Sequence, residues 1–332
     1  MRVKIGALQF FGWPDRRIPL TEVYARALER VDVMERSGFD AVWLAEHHFS
    51  GYSVCPNVHL MGMHVAGRTE RLRIGTAVTL PSLSHPLRVA EEVALLDVLS
   101  GGRVNWGAGR GFDAKEHRAF GITPDQSYPK FREYFEAVLA AWRQERASFR
   151  GEFVSFEDIE VLPRPLQQPH PPVWIGASSL EAIEWGAAHG HSILMDPHST
   201  HAEIAAKRRR YDEVLRSHGH AIAGRDIPVA RQIAIAASDE EAREVALRGS
   251  SWLLGSYDRS GTTGPRVSGN ARATLRRPID EYVDGCVVWG SPARVRDELA
   301  RLRSELPLEY LMIAPLSETS FRLFVTEVLE KL

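Results

Sequence analysis

The feature that most constrains the fold is a rhythm. Short apolar runs, each about the length of one buried strand, alternate with longer segments whose apolar residues recur at helical spacing. Strands are expected over Val3–Phe10, Ala41–His48, Leu72–Leu80, Arg103–Gly111, Val173–Ala177, Ser192–Asp196, Val229–Ala237 and Tyr310–Ala314. Helices are expected over Leu20–Ser37, Pro56–Ala66, Pro86–Leu99, Ser127–Gln144, Ser179–Ala188, Ala202–Ser217, Asp239–Leu247, Pro292–Ser304 and Ser317–Leu332. Repeated βα units imply an α/β fold with a parallel sheet. Eight of them imply a closed (β/α)8 TIM barrel, with a doubly wound open sheet as the alternative. The length of 332 residues suits one barrel domain over 1–332. Two stretches break the rhythm. Phe149–Pro172 reads as a small hairpin followed by a Pro-rich tether. The segment 250–284 is rich in Gly, Ser, Thr and Arg and longer than most loops. It reads either as a mobile lid between the seventh and eighth strands or as an inert insertion.

Charge and cysteine content narrow the class. The net charge of −2 gives no reason to expect nucleic acid or an anionic membrane as partner. Two cysteines, Cys55 and Cys286, are too few for a disulfide framework and read as free thiols in a reducing compartment. No signal-peptide pattern opens the chain and no window is apolar enough to span a bilayer. The expectation is a soluble cytoplasmic protein.

The chemistry concentrates at strand ends. In Ala41–Ser50 (AVWLAEHHFS) an apolar run passes abruptly into Glu46, His47 and His48. The C-terminal ends of parallel strands are where ligands bind in such folds. On a strand, His47 and His48 would point to opposite faces, one into the pocket and one outward, so they would not share a metal. The pocket-facing imidazole suits a general base near neutral pH, or else is a hydrogen-bonded core histidine. No H-E-x-x-H is present, and no metal is expected. The run Gly107-Ala108-Gly109-Arg110-Gly111 fails the dinucleotide spacing, because position 112 is Phe. Its small residues would let a flat ligand approach the backbone, and Arg110 can bind a phosphate; the alternative is barrel packing with Arg110 in a surface ion pair. Ala177-Ser178-Ser179 stands at a strand-to-helix junction, where serines cap a helix or help form an anion site. Strand-end position suggests Phe10, Trp106 and Met195 as substrate-pocket residues. The run Lys207-Arg208-Arg209-Arg210 reads as a solvated helix face.

Taken together, AEHHF at 45–49, IGTAVTLP–SHP at 74–86, LLDVLSGGRVNWGAGRGFDAKEHRAFG at 95–121, the L-P-x-P…PP-x-W-I-G-A-S-S run at 162–179 and G-S-P at 290–292 make the sequence similar to the bacterial luciferase-like flavin monooxygenases over essentially its whole length. That resemblance implies a (β/α)8 barrel holding reduced FMN, supplied by a separate reductase, which reacts with O2 through a peroxyflavin to oxygenate a small, apolar substrate. It implies His47 as catalytic base. It further implies a non-proline cis peptide at Ala77–Val78 against the flavin, and Arg110, Ser178 and Ser179 at the FMN phosphate. Glu46, Tyr128, Gly176 and Ala177 complete the implied cofactor site, and a homodimer is the implied assembly. Two departures weigh against light emission: Gly109 stands where the light-emitting subunit has a reactive cysteine, and Tyr128 where it has an arginine. A deazaflavin-dependent hydride-transfer enzyme is the alternative within the superfamily, disfavoured because those relatives carry Trp where this chain has Arg110. A non-catalytic flavin-binding subunit is a second alternative, and a metal-dependent barrel hydrolase a third.

Overall fold

The computed structural model describes residues 2–259 and 277–332. In chain order its elements are β1 (Lys4–Gln9), α1 (Leu20–Ser37), β2 (Ala41–Leu44), α2 (Val58–Ala66), β3 (Arg73–Thr76), α3 (Pro86–Leu99), β4 (Val104–Ala108), α4 (Ala114–Ala119), α5 (Ser127–Arg143), β5 (Ala147–Arg150) and β6 (Ser155–Ile159). Then come β7 (Val173–Ala177), α6 (Leu180–Ala188), β8 (Ser192–Met195), α7 (His201–Ser217), β9 (Pro228–Ile235), α8 (Asp239–Arg259), α9 (Ile279–Cys286), β10 (Val287–Gly290), α10 (Pro292–Glu305), β11 (Tyr310–Pro315) and α11 (Glu318–Leu323). The main sheet runs β10-β9-β11-β1-β2-β3-β4-β7-β8, and a further β8–β9 pairing closes eight of these parallel strands into a ring. This is the expected (β/α)8 barrel, with β10 as a ninth strand beside β9.

The contacts group the described residues into two compact units, one of residues 9–176 and another of 2–8, 177–259 and 277–332. In the first unit, β2, β3 and β4 are almost wholly buried, and Trp43 packs edge-on to Trp174 at 5.3 Å. Gly75 has to lack a side chain, since a Cβ there would lie 2.3 Å from the Trp43 ring. The hairpin forms where expected, as antiparallel β5 and β6. In the second unit, β9 is buried at all eight positions, and β11 and β10 share it as a ladder partner.

Three expectations change. The helix expected to stop at Leu247 continues to Arg259, through Gly249. Gly249 is a packing residue there, because a Cβ would come within 2.9 Å of Leu316. Of the expected lid, 250–259 therefore belong to α8 and 279–284 to α9, while 260–276 lie outside the described residues. The segment Val287–Gly290 is a strand that the sequence reading passed over. Finally, Lys207 and Arg208 are not solvated: they are 5% and 3% exposed and pair with Asp196 and Asp212. No described helix is long and apolar enough to cross a membrane.

Candidate active site

The site in the first unit begins where β2 leaves the sheet. The Leu44 carbonyl accepts from the Ala77 N–H at 2.7 Å, whereas the His47 N–H turns away to the Cys55 carbonyl at 3.1 Å. Strand alternation therefore stops at Leu44 and does not govern Glu46-His47-His48. Both imidazoles end up partly enclosed, 12% and 11% exposed, rather than one inside and one outside. Each has its own carboxylate. Glu46 Oε1 lies 3.1 Å from His48 Nε2, and its Oε2 accepts from the Leu80 N–H at 3.2 Å. Glu116 Oε1 lies 3.3 Å from His47 Nδ1 and accepts from the His48 N–H at 2.7 Å.

Glu116 is a candidate that sequence reasoning missed. It is 2% exposed and comes from α4, a short helix N-capped by Asp113, whose Oδ1 accepts from the Lys115 N–H at 2.7 Å. Asp113-x-x-Glu116 is a helix-start signature, and it was the available signal. Burial pushes the Glu116 carboxyl up, but the hydrogen bond and charge of His47 and the His48 N–H outweigh it and hold it below the usual range. An ionised Glu116 can accept a hydrogen bond from Nδ1–H, and in the neutral ring of that tautomer the lone pair is on Nε2. Nε2 has no hydrogen-bond partner among the described residues. Aromatic rings surround the imidazole: Phe10 stacks at 6.3 Å, and Tyr52 and Phe112 stand edge-on at 4.8 and 5.7 Å.

The next residue of α4 reaches the Gly-rich run. His117 Nε2 sits 3.0 Å from the Arg110 carbonyl, and burial pulls its pKa down. Arg110 Nη1 donates to Ser127 Oγ at 3.2 Å, and its guanidinium lies 4.3 Å above the Tyr128 ring. It makes no ion pair with a carboxylate among the described residues, so the surface ion-pair reading fails. A planar cation with spare N–H donors, braced on an aromatic face, fits a phosphate.

The peptide Ala77–Val78 is cis. The Val78 side chain fills the space that Gly109 and Gly176 leave open, since a Cβ on either would lie 2.6 or 2.9 Å from it. The small residues thus admit Val78 rather than leaving a bare backbone for a flat ligand. Ala177 is buried at the end of β7, and Ser179 Oγ caps α6 by accepting from the Ala182 N–H at 3.2 Å; Ser178 precedes it. Trp106 does not join the histidines. It is fully buried, stacked on Phe135 and edge-on to Trp142 of α5, which removes it from the expected substrate pocket. Met195 is likewise buried at the end of β8. No described group of three His, Cys, Asp or Glu could hold a metal ion.

Comparison with known proteins follows the same lines. The profile of the luciferase-like monooxygenases matches residues 5–308. An uncharacterized protein of Sinorhizobium fredii is 42% identical over 170 residues, which is 51% of this chain and 50% of that protein. The alkanal monooxygenase alpha chain of Photorhabdus luminescens is 31% identical over 61% of this chain and 56% of its own. The oxygenase component of flavin-dependent trigonelline monooxygenase from Acinetobacter baylyi is 29% identical over 53% and 49%. The chain spans about half the length of the curated relatives it matches. Among solved structures, monooxygenase RslO1 from Streptomyces bottropensis superposes with a TM-score of 0.84, at 25% identity and 99% coverage of both chains. The oxygenating constituent of 3,6-diketocamphane monooxygenase from Pseudomonas putida, in complex with FMN, shares the fold at 0.81, with 16% identity and 100% and 99% coverage. An F420-dependent secondary alcohol dehydrogenase shares it at 0.79, with 16% identity and 99% and 98% coverage.

Proposed function

The chain belongs to the luciferase-like monooxygenase family, and from that membership we propose that it is the oxygenase component of a two-component, FMN-dependent monooxygenase. A separate reductase would deliver the reduced cofactor, and a small, apolar organic molecule would be the substrate. Reduced FMN, when bound, supplies the two electrons that let one atom of O2 enter the substrate while the other leaves as water. The chain's own residues do the rest. Arg110 would hold the phosphate with its uncommitted N–H groups, steadied by Tyr128 and Ser127. His47 would hold or move a proton at Nε2, while Glu116 fixes its tautomer through Nδ1. Phe10, Tyr52 and Phe112 would keep water from that nitrogen.

The observation that carries this reading is the His47–Glu116 pair: a buried carboxylate orients an imidazole whose other nitrogen is left uncommitted. Titration of the protein with reduced FMN and with reduced F420, followed by mixing with O2 and a panel of apolar substrates, tests it. Tight binding of FMN alone and oxygen-dependent product formation are expected. Preference for F420, or hydride transfer without oxygen uptake, would overturn it in favour of the deazaflavin alternative.

A further inference from the structure

A second cluster of charged groups lies within the other unit, around the start of α7. Asp196 follows β8 directly. Its Oδ1 accepts from the His198 and Ser199 N–H groups at 3.0 and 2.8 Å, and its Oδ2 pairs with Lys207 Nζ at 3.0 Å. Arg231, from β9, reaches the same turn and donates from Nη1 to the Ser199 carbonyl at 3.1 Å. Arg231 is 1% exposed, yet its Nε and Nη2 have no hydrogen-bond partner among the described residues. Nδ1 of His201, in the first turn of α7, is also buried and unpartnered.

The charges do not balance. Arg231 and Lys207 are buried cations, and Asp196 is the carboxylate between them. Outside this buried set, Glu203 pairs with Arg277, and Glu298, 3.8 Å from His201, shares Arg301 with Glu305. His198, bonded to the Tyr282 hydroxyl at 2.7 Å, and His201 are both pushed down to about 4, first by burial and then by the Arg231 charge, so they add none at neutral pH. Burial pushes the Cys286 thiol up to about 11, so it supplies no anion. Among the buried groups, two cations therefore face one carboxylate. An unpaired guanidinium in a protein interior is strongly unfavourable.

We propose that the free edge of Arg231, with the first turn of α7, binds a small monovalent anion of the halide class inside this unit. The anion would complete the hydrogen bonding of Nε and Nη2 and neutralise the surplus charge.

Crystals grown in sodium bromide test the proposal by anomalous scattering from the unaltered protein. A bromide peak within hydrogen-bonding distance of Arg231 Nε or Nη2 is expected; water alone there, or bromide only at the surface, overturns it. Thermal unfolding gives an independent reading. Replacing gluconate by chloride at fixed ionic strength should raise the midpoint by a few degrees, and Arg231→Met should abolish the rise. A flat response of the unaltered protein, or an equal rise in the variant, overturns the proposal.

Discussion

Glu116 touches two consecutive residues at once, the His48 N–H and His47 Nδ1, and so couples the backbone path of the 46–48 turn to the orientation of one ring. On the proposed reading the consequences separate cleanly by residue. His47→Ala should lower turnover at least about a hundredfold and spare flavin affinity, since it removes the proton carrier and no phosphate contact. Glu116→Gln keeps the shape but lets Nδ1 find a donor as easily as an acceptor. Steady-state kinetics should show a loss of about ten- to a hundredfold in turnover with an unchanged flavin Kd. Arg110→Ala should act the other way round, weakening FMN about tenfold or more by equilibrium titration with a smaller effect on saturated turnover. Equal losses in both measurements for all three variants would show that the residues do not divide the work in this way.

Among the elements, α4 and the turn after β3 decide the geometry. Six residues of helix direct Glu116 at the histidines and His117 at the Arg110 carbonyl. The turn after β3 is held by Thr79, whose N–H donates to the Gly107 carbonyl at 2.8 Å and whose carbonyl accepts from the Gly109 N–H at 2.9 Å. Its hydroxyl also meets His59 Nε2 at 3.1 Å, while His59 Nδ1 lies 2.9 Å from Glu92. Val78 is then seated against two glycines. Gly109→Ala would set a methyl 2.6 Å from Val78 Cγ2, and overpacking of this kind costs about 1–3 kcal/mol in chemical denaturation. Val78→Ala in the same chain should recover most of that loss, and failure to recover it would mean that Gly109 is needed for its backbone rather than for space. The sequence showed glycines in this run but not what they face, because Val78 comes from a different strand end some thirty residues away.

For the whole molecule, the buried histidines set the response to acid. His198 and His201 have folded pKa values depressed to about 4 from an ordinary value near 6.5. The unfolded chain therefore binds more protons between those limits. Their contribution is complete above pH 6.5 and is lost as pH falls towards 4. Glu92, drawn down to about 2, first by its bond to His59, contributes above the ordinary carboxylate range and is lost below it. The unfolding midpoint should thus fall steadily from pH 6.5 to 4, and His201→Gln should flatten part of that slope; a midpoint constant over this window would contradict the assignment.

The amino-acid sequence by itself determined the barrel, since eight apolar runs at βα spacing admit few other parallel arrangements, and it offered Glu46, His47 and Arg110 as candidate groups at the strand ends. Tertiary structure alone decided the partners: Glu116 for His47, Tyr128 under Arg110, Val78 over Gly109, and Arg231 beside the start of α7. It also turned Trp106 into the core and drew Lys207 out of solvent. The physical reason is one of range. Periodicity is a local property that each segment carries along its own length, whereas hydrogen bonds and close packing join residues whose separation in the chain bears no relation to their distance in space.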